Sequence, residues 1–354
     1  MRSELIIDLK KLDHNLEVIK TAAQNNPKIM AVIKDDAYGH GAVKVSQHLT
    51  SKVDWFCVAT LEEGIELRNA DIDNPILIYE VPDAERILQF KEHNLTATVS
   101  DLENFETLIP GINYQINFDT GMRRLGIAPT NVEQVLQKMT ELKDNECVGV
   151  YTHFSSADEP DNERVKQQMN LFADVISKFP SSMFVHISNS GGIFHYGNTG
   201  SHLKGIRPGI CLYGYSSGDT KISNLMPIMS WKSHIMQIRK VEKGEGIGYG
   251  HFWKAPTSGI VGTIPVGYGD GLPRLLSGKI SFKINGKLLP QIGRISMDYC
   301  AVFSKDEQSF SVKDDVYLLD GEELTAKYWA DEIDTIAYEI TTQVHPKVKK
   351  TYLE

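Results

Sequence analysis

Eight short, near-continuous apolar runs between residues 29 and 214 constrain this chain more than any other feature: IMAVIK, WFCVAT, PILIYEV, LTATVS, YQINFD, CVGVYTHF, MFVHISNS and IRPGICLYG. Between most of them lie segments with apolar residues at helical spacing, such as LEEGIELRNA, DAERILQFKEH, NVEQVLQKM and NERVKQQMNLFADVISKF. A strand that is apolar on both faces has to be covered on both faces, and a parallel sheet flanked by helices does that. Eight such units in about 220 residues predict a closed (β/α)8 barrel rather than an open doubly wound sheet. An amphipathic helix over LKKLDHNLEVIKTAAQ precedes the first run.

Around YSSGDTKISNLMP the pattern changes. The runs SWKSHIMQIRKV, GIVGTIPV, KISFKI, KLLPQIG and SVKDDVYLLDG are strand-like and separated by turns, and INGK is a hairpin signal. The expected organisation is therefore α/β: an N-terminal barrel over 1–222, whose first few residues join the second domain, and a mostly antiparallel C-terminal β domain over 223–354. A short helical stretch, EELTAKYWADEIDTIAYEI, lies near its end. The net charge of −9 argues against a broad nucleic-acid footprint. No apolar run approaches the roughly 20 residues that span a bilayer, and the first residues contain no secretory apolar core. Cys57, Cys147, Cys211 and Cys300 are scattered with no CxxC pair, so a reducing compartment, the cytoplasm, is expected.

Barrel enzymes place their chemistry at the C-terminal ends of the strands, often with a phosphate site after strands seven and eight. Lys34 ends the first run, SNSGG (188–192) ends the seventh and RPGI (207–210) lies at the eighth. Ser190 supplies a hydroxyl, while Gly191, Gly192 and Gly209 let backbone N–H groups crowd an anion. Tyr38 adds a phenol four residues after Lys34. A phosphate on one side of the mouth and a lysine on the other suit a phosphorylated aldehyde cofactor that forms a Schiff base, and pyridoxal phosphate fits. Each element has a commoner role: strand-end lysines snorkel to water, Ser-Gly-Gly makes turns, and Arg-Pro marks loop boundaries. Their coincidence at equivalent strand ends carries the reading.

The chain resembles the pyridoxal-phosphate alanine racemases along essentially its whole length. The motifs AVIKDDAYGHGA, DTGMRRLGI (119–127), YTHFSSAD (151–158), SNSGG, IRPGICLYG, GIGYGHFW (246–253), IPVGYGDGLPR (264–274) and GRISMD (293–298) follow in the family's order. The resemblance implies interconversion of L- and D-alanine by two bases, supplying D-alanine for peptidoglycan, in a homodimer with shared active sites. It makes Lys34 the cofactor lysine and first base, and Tyr249 the second base, reaching in from the partner subunit. It sets Arg207 against the pyridine nitrogen and His153 beside the ring. Tyr38, Asn189, Ser190, Gly209 and Ile210 fall at the phosphate. Arg124 supports the tyrosine and the substrate carboxylate. Met297 and Asp298 line the substrate pocket from the second subunit, and Tyr268 and Asp270 its access corridor.

Three departures stand out. Asn117 occupies a position where many relatives have a lysine, often carbamylated, that orients the arginine matching Arg124; Arg123 adds a further charge. Pro346 aligns with a tyrosine that crowds the catalytic tyrosine. Asp35 adds an acid beside Lys34. The first two motivate a broader amino-acid racemase, accepting serine and other small substrates, as an alternative. A non-catalytic pyridoxal-phosphate-binding protein is a third reading, opposed by the β domain and Tyr249. A decarboxylase would need further cationic residues for a distal group. A metal-assisted aldol cleavage would need a ligand cluster that His251, His345 and the other histidines do not form by spacing.

Overall fold

The computed structural model describes residues 2–197 and 203–354. The chain divides into two compact units. One comprises His14–Ala37 and Gly41–Leu225; the other comprises Met1–Asp13, Tyr38–His40 and Met226–Glu354.

The first unit is the expected parallel barrel. Its strands are Lys28–Val32, Trp55–Val58, Ile76–Ile78, Ala97–Val99, Asn113–Asn117, Glu146–Tyr151, Val185–His186 and Gly205–Ile206. Strands adjacent in sequence are adjacent in space, and the first also pairs with the eighth, Lys28 opposite Gly205 and Ile29 opposite Ile206. The seam between the third and fourth closes through one bridge, Leu77 to Thr96. There Thr96 N donates to Ile76 O at 2.9 Å and Ile78 N to Thr96 O at 3.0 Å. Most strand residues are fully buried, as continuous apolar runs require. Closure turns the C-terminal strand ends toward a common mouth, and Lys34 begins the loop after the first of them.

The second unit is a nine-stranded sheet. Its order is Gln237–Val241, Gly259–Ile264, Cys300–Ser304, Lys287–Ile292, Ser281–Ile284, Asp315–Leu319, Met229–His234, Glu4–Asp8 and Lys349–Leu353. All pairings are antiparallel except the last, which is parallel. The INGK hairpin forms as expected, with Asn285 at φ 50° and Gly286 at φ 74°, the left-handed pair of a tight primed turn.

Three details differ from the sequence expectation. SWKSHIMQIRKV is two strands rather than one, because the backbone changes partners at its centre: Ile235 N bonds Asp314 O, and Met236 N bonds Thr263 O. The C-terminal helical stretch is two helices, Ala326–Glu332 and Ala337–Thr342. The final strand Lys349–Leu353, KKTYL, is too charged to read as one and is formed by pairing with Glu4–Asp8.

Among the described residues no helix is long and apolar enough to cross a membrane.

Candidate active site

The loop after the first barrel strand is unusual at the backbone. Asp35, Asp36, Ala37 and Tyr38 have φ of 53°, 54°, 54° and 55°, one turn of left-handed helix built from L-residues. At about 1–2 kcal/mol per residue such a turn stores roughly 4–8 kcal/mol, which surrounding bonds must hold. Ala37 N bonds back to Ile33 O at 2.9 Å, and Asp36 closes the far end, its carbonyl accepting from Gly41 N and its Oδ1 from Ala42 N, each at 2.8 Å. At the near end Asp35 N donates to Glu63 Oε1 at 2.5 Å. Gly39 (φ 84°) has no alternative in this sequence, since a Cβ there would sit 2.2 Å from Thr341 O. Lys34 Nζ lies 3.5 Å from Asp35 Oδ2, so the extra acid is the lysine's ion-pair partner.

Arg207 is the largest polar side chain of the barrel unit to be fully buried, at 2% exposure. It makes no ion pair with an acid among the described residues. Carbonyls and rings take that place. Nη2 donates to Thr152 O at 2.7 Å and Ile187 O at 3.0 Å and lies 3.4 Å from His153 Nδ1. Nη1 donates to His186 Nδ1, and the guanidinium carbon stands 5.2 Å over the Tyr151 ring. A guanidinium cannot accept, so His186 Nδ1 is unprotonated and its proton sits on Nε2, donating to Gln115 Oε1 at 2.6 Å. Burial, and secondarily the Arg207 charge, hold His186 well below the usual imidazole range. Arg207 Nε is buried without a partner. It is a donor awaiting an acceptor, which a pyridine nitrogen is and a protonated pyridinium is not.

His153 is neutral for the same reasons. Burial first, then the positive charges of Arg207, Arg124 and Lys34, push it down to about 3. Its ring lies between Arg207 and the Asn189 amide, 3.3 Å from Nε2, so the structure brings His153, Asn189 and Arg207 into one cluster. Asn189 also caps the helix Ser190–His195 through Gly192 N at 3.0 Å. Ser190 Oγ accepts from Gly209 N at 3.1 Å and Cys211 N at 3.5 Å, joining the seventh and eighth strand ends and orienting the Gly209–Ile210 turn.

Asn117 commits its amide to a neighbouring carbonyl and a hydroxyl. Nδ2 donates to Leu125 O at 3.1 Å and Ser100 Oγ at 3.3 Å, tethering the 118–126 loop by its backbone. Arg124 is exposed and makes no ion pair among the described residues. Arg123 holds φ 56°, and its N–H bonds Asp119 Oδ1 at 2.9 Å.

The remaining expected residues fall in the β unit. Tyr38 packs 5.8 Å from the Tyr338 ring. Tyr249 stands in a short turn, Tyr249–His251, between the two-residue strands Gly246–Ile247 and Trp253–Lys254; it is 72% exposed. With Arg239, His251, Arg294 and Tyr299 it lines a cavity of about 770 Å³. The segments that carry Tyr268 and Met297 are joined by main-chain bonds, Tyr268 N to Ser296 O at 3.0 Å and Gly269 N to Met297 O at 2.8 Å. Gly267 permits that approach, since its Cβ would lie 2.2 Å from Ser296 O. Asp298 pairs with Arg2 at 3.5 Å. Asp270 is buried, accepts from Gly267 N at 2.9 Å, and pairs with Lys347 at 3.0 Å and Arg2 at 3.7 Å, so it holds its own turn. Pro346 is exposed beside Lys347.

Sequence reasoning missed His186, Gln115 and Glu63. The available signals were polar residues inside otherwise apolar strands and the T-x-x-E capping box at Thr60.

The first part of the chain, residues 7–217, matches the model of the alanine racemase N-terminal domain, and residues 228–352 match that of the alanine racemase C-terminal domain. The alanine racemase of Haemophilus influenzae is 36% identical, covering 97% of this chain and 96% of its own. Alanine racemase 1 of Caldanaerobacter subterraneus is 34% identical over 99% of this chain and 94% of its own. Among solved structures, alanine racemase of Clostridium difficile 630 superposes with a TM-score of 0.92 at 32% identity, covering 100% of this chain and 96% of its own. That of E. faecalis does so with 0.92 at 30%, covering 99% and 98%. The chain belongs to the alanine racemase family.

Proposed function

We propose that the protein is an alanine racemase that interconverts L- and D-alanine with pyridoxal 5′-phosphate as its cofactor. The observation that carries this reading is Arg207, a buried guanidinium without a carboxylate partner and with one N–H left unsatisfied. It suits an unprotonated pyridine nitrogen, and the histidines around it are themselves neutral.

When bound, the cofactor supplies an electron sink that acidifies the substrate Cα–H. The chain's own residues do the rest. Lys34 Nζ holds the cofactor aldehyde and then takes or returns a proton on one face of Cα. Tyr249 Oη of a second copy serves the other face, since one base cannot easily reach both. Arg124, exposed and without an ion pair among the described residues, is assigned the work of supporting Tyr249 together with binding the substrate carboxylate. Arg207, whose guanidinium does not give up a proton, would face the ring nitrogen as a hydrogen-bond donor and leave it unprotonated, which would favour fast return of the proton at Cα. His153, held between Arg207 and Asn189, would flank the ring. Ser190, Gly209, Ile210, Asn189 and Tyr38 take the phosphate, and Met297, Asp298 and Tyr268 shape the substrate pocket.

The exposure of Tyr249, Met297 (56%) and Tyr268 (43%) supports a homodimer in which the β domain, roughly 223–354, completes the barrel site of the partner. The assigned compartment is the cytoplasm and the role D-alanine supply for peptidoglycan. Incubating L-alanine with cofactor-loaded protein and separating enantiomers tests the reading; D-alanine accumulating to an equal mixture is the expected result, and unchanged L-alanine with bound cofactor contradicts it.

One observation favours a second reading. The Asn117 amide is neutral and committed to Leu125 O and Ser100, and Arg124 makes no ion pair among the described residues, which leaves it freer to adapt to larger side chains. Comparable turnover of serine and alanine supports the broader racemase.

A further inference from the structure

We propose that Glu63 is a positioning residue for Lys34: its carboxylate holds the strained turn that aims the lysine, a role beyond capping its own helix. The inference rests on the reading of Lys34 as the cofactor lysine. Glu63 stands at the third position of the helix Leu61–Asn69, and its part in a complete capping box is unremarkable: Thr60 Oγ accepts from Glu63 N at 3.3 Å, and Glu63 Oε2 accepts from Thr60 N at 3.2 Å and Ala59 N at 2.7 Å. The other oxygen leaves the helix. Oε1 accepts from Asp35 N at 2.5 Å, the shortest of the carboxylate's bonds, from the residue directly after Lys34. Glu63 makes no ion pair among the described residues, so three backbone N–H groups are what its charge serves. The carboxylate thereby ties the loop after the second barrel strand to the loop after the first.

The location gives this tie its consequence. Asp35 opens four successive residues in left-handed conformation, and a segment so strained persists only while its ends are fixed. Asp36 fixes the far end through Gly41 and Ala42. At the near end, among the described residues, the Asp35 N–H bonds only Glu63. If that bond is lost, the backbone on the C-terminal side of Lys34 can rotate out of the left-handed region and carry the root of the lysine side chain with it. Thr60 belongs to the same capping box, and among the described residues its hydrogen bonds stay within its own helix start, so it separates the two roles.

The test compares Glu63→Ala, Glu63→Gln and Thr60→Ala. The readouts are the rate at which borohydride traps pyridoxal phosphate on Lys34, located by peptide mass, and hydrogen exchange of the 34–38 segment in the cofactor-free protein. Glu63→Ala is expected to slow trapping at least tenfold and to remove exchange protection from that segment. Glu63→Gln, which keeps one acceptor oxygen, falls between it and wild type. Thr60→Ala loses stability but traps at the wild-type rate. Equal slowing in Thr60→Ala and Glu63→Ala, or wild-type trapping in Glu63→Ala, overturns the proposal, as does an unprotected segment in wild type. Trapping of wild type on a lysine other than Lys34 overturns the underlying reading along with it, and so is distinguishable from failure of the proposal alone.

Discussion

Replacing Gln115 by leucine separates what holds the fold from what holds the cofactor. In the native arrangement Gln115 Oε1 accepts from His186 Nε2, while Gln115 Nε2 is buried without a partner. The wild-type barrel therefore already carries Gln115 Nε2 as an orphaned donor, worth roughly 1–3 kcal/mol. Leucine removes that orphan but leaves His186 Nε2 as a new one of similar cost. The two nearly cancel, so the cofactor-free protein changes stability by less than about 1 kcal/mol. Gln115 already packs against Gly149, whose missing Cβ would stand 3.0 Å from Gln115 Cδ, so a leucine of similar size is expected to occupy the same space. His186, however, no longer has its ring fixed from behind, and Arg207 loses a rigid acceptor. A loss of about 1.4 kcal/mol in Arg207 placement is tenfold in affinity. The expected result is an unchanged denaturant midpoint together with about tenfold weaker pyridoxal-phosphate binding by fluorescence titration. Pyruvate, the product of proton return to the wrong carbon, rises relative to racemisation. A large fall in stability with unchanged cofactor affinity and unchanged pyruvate would refute the reasoning.

Other perturbations follow from the same geometry. Arg207→Glu offers the ring nitrogen a carboxylate, and the pyruvate produced per racemisation turnover should rise at least tenfold; an unchanged ratio counts against the assigned role. His153 holds its pKa at about 3 against 6.5 unfolded, so below pH 6.5 the unfolded chain binds a proton that the native one refuses. Stability from this group is present above pH 6.5 and is lost as pH falls toward 3, with a slope approaching about 1.4 kcal/mol per pH unit. His153→Phe should flatten the dependence of unfolding free energy on pH between 6 and 4 by close to one proton. Gly267→Ala forces a methyl against Ser296 O at 2.2 Å and should cost at least about 2 kcal/mol, read as a lowered denaturant midpoint. Asp35→Asn breaks an ion pair whose members are 37% and 55% exposed, so stability should move by under about 0.5 kcal/mol.

The barrel was legible because a closed parallel sheet needs strands apolar on both faces, and runs such as WFCVAT and PILIYEV have that character. What escaped were features decided by pairing. KKTYL looks like a charged tail and becomes a strand only because Glu4–Asp8 offers an edge. The cut in SWKSHIMQIRKV is set by partners some eighty and thirty residues away, which no local pattern carries. In the site, Lys34, Ser190 and Arg207 could be read from their strand ends. His186 and Gln115 could not, because a polar residue within an apolar run signals burial without naming what it faces. Glu63 was visible as a helix cap, and its third bond, to Asp35, depends on the neighbouring strand. Asn117 stands where many relatives carry the lysine that orients the arginine matching Arg124; the structure uses its amide to tether the loop, a choice invisible in the residue type.

The central claim is proton exchange at Cα by two bases on opposite faces, and its most direct test is L-alanine in heavy water with cofactor-loaded protein, analysed while only a few per cent has reacted. The account predicts loss of optical rotation toward zero, with the first D-alanine formed carrying deuterium at Cα while the remaining L-alanine is still largely protiated. D-alanine that keeps its original proton, or no loss of rotation while the cofactor stays bound, would contradict it.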